Sequence, residues 1–265
     1  MNKGIFSKSD FKFFIDLITA AGKKAHDLQK KGIKIQRKKD ATIVTEVDFL
    51  TQDFLISRIS KKYPNLIFVH EENFNTSNSP ISDDTISVII DPIDGTAMFS
   101  MYLPIWCISI GIFKGFEPVY GFVYSPGSDM LFYADDNNSY LNGKKLLVDR
   151  NLIIDSETNI FCTSEAGFSI KGFPGKIRNL GSTAFHACLT ADNRRNRLLA
   201  FIGQSFLWDW AGAIPIIKKA GGNIKYLDGS DIDIKKIIDN GYALEQNAVA
   251  YNSDDFKIIQ NYLKN

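Results

Sequence analysis

The stretch that most directly suggests chemistry is DPIDGTAMF at residues 91–99, where two aspartates flank a Pro-Ile pair. Asp91 follows ISVII (86–90), a β-branched run that predicts a buried strand, so its carboxylate emerges at the edge of a sheet. Pro92 fixes its own φ and Asp94 follows after a tight turn, so both carboxylates can face one point. Gly95 permits an unusual backbone angle or the close approach of a ligand.

A helix that begins near Gly95 would direct its free amides into the same space, where they favour a phosphate group. Carboxylates and a phosphate repel each other unless a hard divalent cation lies between them. The motif therefore predicts a metal-dependent phosphate site. The alternative interpretation is an ordinary turn, because Asp, Pro and Gly are common turn residues.

Acidic residues at the ends of other apolar elements favour the site over the turn. Glu71 and Glu72 end the strand predicted for LIFVHEEN (66–73). Asp48 opens a predicted helix after IVT, and Asp209 lies between two tryptophans at the start of an apolar helix. Each has an ordinary alternative, namely a solvated pair of glutamates, an N-cap and a favourable position in the helix dipole. Four such acidic sites together indicate a functional cluster.

Hydrophobic spacing and turn signals predict the elements that position these residues. Helices are expected over 11–28 after a Ser9/Asp10 cap, over 48–61, over 182–191, over 209–220 closed by Gly221-Gly222, and at the C-terminus with a cap near Ser253. Strands are expected at WCISIGIFKG, PVYGFVYS and LFYADD, then IFCTSEA (160–166), NIKYL and NAVAYN, with a hairpin at Asn142-Gly143. Residues 29–42 and 73–85 are predicted loops. Alternating helices and strands in both halves favour a layered sandwich over a single Rossmann sheet.

Composition bounds the class of protein. The chain has 265 residues, is 45% hydrophobic and 23% charged, and carries a formal charge of +1, which argues against nucleic acid or an anionic membrane as partner. The N-terminal MNKGIFSKSD lacks the apolar region of a signal peptide, and no apolar run is long enough for a membrane span. Three cysteines without metal-ligand spacing predict buried thiols in a reducing cytoplasm.

In this order and spacing, the motifs resemble those of the inositol monophosphatase family, the lithium-sensitive, magnesium-dependent phosphatases. IVTEVD (43–48), FVHEEN (68–73), DPIDGTAMF, RNLGSTA (178–184) and WDWAGAIPIIKKAGG (208–222) match its motifs along essentially the whole chain. The resemblance implies a five-layer αβαβα sandwich of the inositol monophosphatase and fructose-1,6-bisphosphatase type. It implies an N-terminal α+β half (1–150) with most metal ligands and a C-terminal α/β half (151–265) with Asp209 and substrate contacts, packed as one compact unit.

The resemblance also implies the metal ligands. Glu71, Asp91 and the carbonyl of Ile93 would hold a first Mg²⁺. A second would lie between Asp91, Asp94 and Asp209, so that Asp91 bridges the two. A third, weaker ion would lie near Glu71 with mostly water ligands, and Mn²⁺ is an alternative metal. A two-metal site suits phosphomonoester hydrolysis because it activates water, neutralises the phosphoryl oxygens and assists the leaving alkoxide.

The remaining roles follow from the same resemblance. Thr96 and Asp48 would orient and deprotonate the attacking water, with Glu71 as the third catalytic residue. The amides of Gly95 and Thr96 would hold phosphate oxygens. Asp94 and the turn at 181–184 would contact the alcohol part of the substrate; that turn contains Gly181, Ser182 and Thr183. No histidine is needed in this chemistry, so His26, His70 and His186 are interpreted as structural.

Departures from the family pattern weaken the assignment of inositol. Ile202 stands where inositol-specific members have a glutamate, and Ala97-Met98 replaces a polar pair. Arg194, Arg195 and Arg197 form either a surface loop or a contact to a second phosphate. Alternative substrates are therefore a sugar bisphosphate, histidinol phosphate or 3′-phosphoadenosine 5′-phosphate. A different class is a regulatory, RNA- or protein-binding member without catalysis. A homodimer is expected by resemblance.

Overall fold

The computed structural model describes residues 5–38, 42–72, 81–163 and 169–264. The helices are α1 (Lys8–Lys31), α2 (Glu46–Lys62), α3 (Thr96–Ser100), α4 (Thr183–Leu189), α5 (Asn193–Asn196), α6 (Leu207–Ala211), α7 (Ala213–Lys219), α8 (Ile234–Asp239) and α9 (Lys257–Gln260). A 3₁₀ turn at Thr190–Asp192 follows α4. In the part of the chain so described, none of the helices combines the length and apolar character that a bilayer crossing requires.

The strands form two main sheets and two small ones. Those of the first half are β1 (Ile35–Arg37), β2 (Ile43–Thr45), β3 (Ile67–His70), β4 (Ile86–Asp94), β5 (Cys107–Lys114), β6 (Glu117–Ser125), β7 (Met130–Ala134), β8 (Ser139–Leu141) and β9 (Lys144–Leu146). Those of the second half are β10 (Asn159–Cys162), β11 (Ser169–Ile170), β12 (Lys176–Arg178), β13 (Leu198–Gly203), β14 (Asn223–Tyr226), β15 (Ala248–Tyr251) and β16 (Leu263–Lys264).

The larger sheet has seven strands in the order β3-β4-β5-β6-β7-β8-β9. Its first pair, β3 and β4, is parallel, and the remaining pairs are antiparallel, which confirms the predicted meander. The smaller sheet has the order β12-β10-β13-β15-β14, and β1-β2 and β11-β16 are separate two-stranded antiparallel sheets. The predicted turn at Asn142-Gly143 joins β8 to β9, with positive φ at both residues.

Alternating side chains of the strands separate the core into layers. Val88 and Ile90 of β4 pack with Phe14 of α1 in one cluster. Ile89 faces the other way, into a cluster that also contains α4, α6, α7 and one face of the five-stranded sheet. The opposite face of that sheet packs against α9 through Ile259. The order helix, sheet, helix, sheet, helix confirms the five-layer sandwich.

Several predicted boundaries were wrong. α1 begins after Ser7 rather than at a Ser9/Asp10 cap, because Ser7 and Asp10 form a capping box. Residues 29–42 are not one loop, since α1 continues to Lys31 and β1 follows at Ile35–Arg37. The expected helix over 209–220 is two short helices that meet at Gly212. α9 has Phe256 rather than Ser253 at its N-cap.

The predictions for the end of α7, for the cysteines and for the strand over 160–166 are confirmed in part. Gly221 has a φ of +87° and closes α7 as predicted. Cys107 and Cys188 are buried free thiols, whereas the free thiol of Cys162 is partly exposed. The expected strand over 160–166 ends at Cys162, and its last residues fall outside the described ranges, as does most of the loop at 73–85.

The middle helical layer is held very close to the large sheet by two glycines. A Cβ on Gly121 of β6 would lie 1.9 Å from the carbonyl oxygen of Gly212, between α6 and α7. A Cβ on Gly111 of β5 would lie 2.5 Å from the carbonyl oxygen of Ala211. Both contacts are with backbone, so neither can be relieved by a side-chain movement. Because glycine has no side chain, these two positions allow the backbone of residues 211 and 212 to lie directly against β5 and β6.

We expect Gly121→Ala to lower the free energy of unfolding by about 1–3 kcal/mol, because the added methyl group forces α6 and α7 away from β6. Urea denaturation of the variant and the wild type measures the change. Glu117→Ala on the same strand is the control, since Glu117 is exposed and its removal should cost less than about 0.5 kcal/mol. Equal stability of Gly121→Ala and wild type would contradict the close packing described here.

Candidate active site

β4 delivers Asp91 to the interior of the molecule. The alternation of β4 places Val88 and Ile90 on the side of α1 and α2, so Asp91 lies with Ile89 on the side of α4, α6 and α7. Ser109 is its partner across the ladder on β5. The Ser109 hydroxyl donates to the carbonyl of Trp208 at 3.4 Å, so the residue opposite Asp91 is bonded to the neighbour of Asp209.

A bulge in β4 brings Asp94 to the same side as Asp91. The ladder pairs Asp91 with Ser109 and Asp94 with Cys107, so β4 advances by three residues while β5 advances by two. In a regular strand, residues three apart point to opposite faces, and one extra residue corrects this. The Ile93 amide donates to Asp91 Oδ1 at 3.0 Å across the bulge. The predicted convergence of the two carboxylates is therefore present, and the bulge is its cause.

Asp94 joins the seven-stranded sheet to the N-terminus of α4. Its carboxylate accepts hydrogen bonds from the Ser182 hydroxyl at 2.5 Å, the Thr183 amide at 3.1 Å and the Ala184 amide at 2.7 Å. These donors open α4, so Asp94 serves as the acceptor that the N-terminus of this helix needs. Thus Asp94 and the turn at 181–184 lie together, as predicted, and are bonded directly to each other.

Asp209 arrives from the second half of the chain. It is the third residue of α6, and its Oδ2 accepts a hydrogen bond from the Phe206 amide at 2.9 Å. Asp209 therefore also stabilises the N-terminus of α6, which was the alternative interpretation of this residue. It also contributes an oxygen to a group with Asp91 and Asp94, in which one oxygen atom of each carboxylate lies within 4.8 Å of the others.

Three carboxylates in this space repel one another. Burial raises the pKa of Asp91 well above its ordinary value, and the charges of Glu71, Asp94 and Asp209 raise it further. Burial likewise raises the pKa of Asp94, against the hydrogen bonds from α4. Burial and the charge of Asp94 raise the pKa of Asp209. Oxygen donors at this density suit a hard divalent cation, which removes the repulsion.

Glu71 lies beside this group because β3 and β4 are parallel and end at the same edge. The Glu71 amide donates to the carbonyl of Ile90 at 3.2 Å, so Glu71 is adjacent to Asp91. Its carboxylate is bonded to Lys38 at 2.9 Å, and Lys38 also forms an ion pair with Glu72 at 2.9 Å. The two glutamates are thus not a solvated pair. Burial and the charge of Glu71 raise the pKa of Glu72 to about 7.

Asp48 and Thr96 are brought together as predicted. The Thr96 hydroxyl lies 3.2 Å from Asp48 Oδ1 and 2.9 Å from the carbonyl oxygen of Ile93. Asp48 is fully buried, and its Oδ2 accepts from the amide and hydroxyl of Thr45 at 2.8 and 2.5 Å. The interpretation of Asp48 as an N-cap was wrong, because Thr45 is the N-cap of α2 and Asp48 closes the capping box.

Gly95 begins α3 with a φ of +92°, a left-handed conformation that favours glycine. A Cβ at this position would lie 2.9 Å from the carbonyl oxygen of Gly181, so the turn at 181–184 lies against the start of α3. The predicted helix start at Gly95 is confirmed. All the residues named for phosphate and alcohol contacts therefore lie in one region around Asp94.

A cavity of about 220 Å³ adjoins Asp94 on the side of α4. It is lined by Thr163, Asn179, Gly181, Ser182, Thr183, His186 and Gln204. Of these residues, the sequence analysis named only the three from the turn as substrate contacts. The others were missed because they come from separate elements, and only the fold places the end of β13 next to β10 and α4.

Position 202 does not belong to this cavity. Ile202 is fully buried on the opposite face of the five-stranded sheet, where it packs with Ile160 and Val249. Gln204, just after the end of β13, lines the cavity instead. By the resemblance, inositol-specific members carry a glutamate side chain at the position of Ile202, near the end of β13. In this chain the residue just after β13, Gln204, contributes its amide side chain to the cavity.

The three arginines are engaged in surface ion pairs. Arg195 is bonded to Asp192 at 2.7 Å and Arg197 to Asp155 at 2.6 Å. Arg194 lies 3.9 Å from Asp149. None of the three lines the cavity beside Asp94. This arrangement agrees with a surface segment rather than a contact to substrate, although Arg194 and Arg195 lie in the short helix α5 and not in a loop.

Comparisons with known proteins agree with the architecture. The model of the inositol monophosphatase family matches residues 8–261. Inositol monophosphatase 3 of Solanum lycopersicum is 31% identical over 241 residues, which cover 83% of this chain and 88% of that protein. An IMPase of Thermotoga maritima superposes with a TM-score of 0.79 at 23% identity over 96% of each chain. Staphylococcal inositol monophosphatase-1, in a LiCl-soaked inhibitory complex, superposes with a TM-score of 0.80 at 18% identity over 96% of this chain and 94% of that one.

We expect Asp91→Asn to raise the melting temperature of the protein in EDTA, because it removes one of three repelling carboxylates. The same substitution should abolish the rise in melting temperature that we expect Mg²⁺ to give the wild type, because Asp91 is the predicted shared ligand. Differential scanning fluorimetry in EDTA and in Mg²⁺ measures both effects. Asp84→Asn, at an exposed carboxylate, should leave both unchanged. Retention of the full Mg²⁺ effect by Asp91→Asn would contradict the assigned cluster.

Proposed function

The chain belongs to the inositol monophosphatase family and is a phosphoric monoester hydrolase, and we propose that its substrate is a small-molecule phosphate monoester. The proposed reaction is Mg²⁺-dependent and inositol-1-phosphatase-like, with water as the nucleophile. The observation that carries the proposal is the convergence of Asp91, Asp94 and Asp209 beside the Thr96–Asp48 pair. A family resemblance alone would leave open whether the site is intact.

The donor set fits Mg²⁺, which prefers oxygen ligands from a few carboxylates and completes its shell with water and phosphate. In the proposed arrangement Glu71, Asp91 and the Ile93 carbonyl hold one ion, and Asp91, Asp94 and Asp209 hold another. A third ion near Glu71 remains part of the proposal, with Mn²⁺ as the alternative metal. When bound, such ions neutralise phosphoryl charge and lower the pKa of water.

The Thr96–Asp48 pair supplies the base. Two hydrogen bonds from Thr45 fix one oxygen of Asp48, and the other faces the Thr96 hydroxyl. Burial raises the pKa of Asp48 to about 6, which suits a base that works near neutral pH. In the proposed step a water proton moves to the Thr96 oxygen while the Thr96 hydroxyl proton moves to Asp48. The amides of Gly95 and Thr96 remain the predicted contacts of the phosphate.

Other parts of the expectation remain proposals. A sugar bisphosphate, histidinol phosphate and 3′-phosphoadenosine 5′-phosphate are the alternative substrates. A regulatory protein without catalysis is the alternative class, and the assembled acidic cluster with its Thr96–Asp48 pair argues against it. The homodimer, expected by resemblance, and the cytoplasmic location, expected from the cysteines, remain predictions.

The first test of the proposal is release of inorganic phosphate by the purified protein from a panel of inositol 1-phosphate, a sugar bisphosphate, histidinol phosphate and 3′-phosphoadenosine 5′-phosphate. We expect release with Mg²⁺, none with EDTA, and inhibition by Li⁺, as the LiCl complex of the staphylococcal relative suggests for this fold. Release from one ester that EDTA abolishes supports the proposal and identifies the substrate. No release from any ester, with Mg²⁺ binding shown by the fluorimetric assay, would overturn it.

We expect Thr96→Val to lower kcat by roughly 10²–10⁴-fold with a smaller change in KM, because it removes the proposed proton relay and preserves side-chain shape. Steady-state kinetics on the substrate identified by the panel measures the effect. Thr85→Val, the same chemical change in a surface turn, is the control. Equal kcat values for Thr96→Val and the control would show that the hydroxyl plays no part in the reaction.

A further inference from the structure

One face of α2 carries a second buried polar residue beside the proposed base. Asp48 and Gln52 are four residues apart in α2 and therefore lie on the same side of the helix. Both are buried, and Gln52 is only 4% exposed. Further along the same buried face the side chains are apolar, namely Leu55 and Ile59. Because Asp48 contacts Thr96, the polar part of this face lies at the candidate site.

Gln52 pairs with both backbone groups of Glu72. Its Oε1 accepts a hydrogen bond from the Glu72 amide at 3.1 Å, and its Nε2 donates to the Glu72 carbonyl at 3.1 Å. The side-chain amide therefore bonds this residue as a neighbouring strand would, beyond the end of β3 at His70. Loss of the Gln52 amide would leave the buried Glu72 amide without this partner, which costs free energy.

The carbonyl of Glu72 has a second donor. His70 Nδ1 lies 2.7 Å from the carbonyl oxygen, and since a carbonyl only accepts, we assign a proton to Nδ1. A carbonyl oxygen has two lone pairs and accepts from both side chains. The backbone of Glu72 is thus fixed by one group from β3 and one from α2.

Glu71 lies between two fixed points of the backbone. Its own amide donates to the carbonyl of Ile90 on β4 at 3.2 Å, and Gln52 holds the residue that follows it. The ion pair with Lys38 at 2.9 Å involves a flexible side chain and fixes the Glu71 carboxylate less firmly than the backbone contacts do. The backbone contacts therefore set where this carboxylate can reach beside Asp91.

We propose that Gln52 is a positioning residue that holds Glu71 beside Asp91 for a divalent cation. The inference rests on the proposed function for the presence of that cation. Gln52 acts through the backbone, since its side chain forms hydrogen bonds with Glu72 only, within the part of the chain that the structure describes. The cation position among Asp91, Asp94 and Asp209 should therefore not depend on it.

Metal chemistry gives the size of the expected effect. Mg²⁺ binds oxygen in near-ideal octahedral geometry at about 2.0–2.1 Å, so a small displacement of a ligand weakens binding. Replacement of a residue that orients a metal ligand without touching the metal commonly lowers metal affinity by about 10–100-fold.

The test is a comparison of two buried glutamines. Gln52→Met removes both hydrogen bonds with little change in shape, and we expect it to weaken the binding of Mn²⁺ that depends on Glu71 by about 10–100-fold. Titration with Mn²⁺, with the free ion counted by electron paramagnetic resonance, measures each affinity without turnover. Gln29→Met is the matched control, because Gln29 is 3% exposed and donates to the carbonyl of Phe99 instead. The control should leave every Mn²⁺ affinity unchanged.

Glu71→Gln identifies the ion that is affected. If Gln52 acts through Glu71, the double variant should bind Mn²⁺ no more weakly than Glu71→Gln alone. Additive losses, equal weakening of every Mn²⁺ ion or unchanged binding in Gln52→Met would each overturn the proposal. If Gln52→Met does not fold, Gln52→Asn gives the same test, because its shorter amide cannot reach both groups of Glu72.

Phosphate release, measured separately, distinguishes this inference from the proposed function. Gln52→Met should raise the Mg²⁺ concentration needed for half-maximal release, and excess Mg²⁺ should restore most of the activity. A wild type that hydrolyses no ester, but whose Mn²⁺ binding depends on Glu71 and Gln52, would support the inference and overturn the proposed hydrolysis. Hydrolysis by a protein whose Mn²⁺ binding is unaffected by Gln52→Met would overturn the inference alone. Absence of Mn²⁺ binding to the wild type would overturn both.

Discussion

Repulsion among Asp91, Asp94 and Asp209 is the constraint on which the rest of the site depends. Each carboxylate is drawn from water, and burial raises the pKa of all three. The charges of Asp94 and Asp209 raise the pKa of Asp91 further, and the charge of Asp94 raises that of Asp209. Two conditions can relieve such a group, namely a shared proton or a divalent cation. The fold must therefore hold the carboxylates against their repulsion, and it does so with donors that belong to the backbone and to short side chains. Asp94 is held by the start of α4, and Asp209 by the amide that precedes α6.

The donors to Asp94 connect the seven-stranded sheet to the helical layer between the two sheets. Asp94 belongs to the seven-stranded sheet and its donors to the N-terminus of α4, while Asp209 reaches the cluster from α6. The depth of that approach is set by Gly111 and Gly121, which let residues 211 and 212 contact the strands through backbone atoms. One apolar cluster spans the facing sides of both sheets and the helices between them. Packing of that layer provides the favourable free energy that the acidic cluster opposes.

The acidic residues of the predicted site could be picked out from the sequence because each stands at the end of a predicted strand or at the start of a predicted helix. The ISVII run predicts a buried strand, so Asp91 at the end of that strand is expected at the edge of the sheet. Glycine at position 95 predicts a chain reversal before a helix, and Gly95 indeed has a positive φ at the N-cap of α3. The bulge between Asp91 and Asp94 depends on the pairing with β5, which no local pattern in DPIDGT reveals. The start of α2 was placed at Asp48 because an aspartate can also cap a helix, whereas Thr45 is the N-cap and Asp48 closes the capping box. Gln204 and His186 could not be grouped from sequence because their proximity arises from the order of strands in the second sheet.

The two proposed metal positions differ in the charge that surrounds them. Lys38 binds Glu71 and Glu72, so a cation at Glu71 must share or displace a lysine that already neutralises these carboxylates. Within the described residues, no lysine or arginine forms an ion pair with Asp91, Asp94 or Asp209. A cation among these three aspartates therefore gains the full relief of their repulsion, whereas one at Glu71 gains less. Asp91 belongs to both proposed positions, so a first ion at the three aspartates would lower the negative charge that attracts a second ion at Glu71. Lys38 lowers that negative charge further, which increases the expected difference in affinity between the two positions.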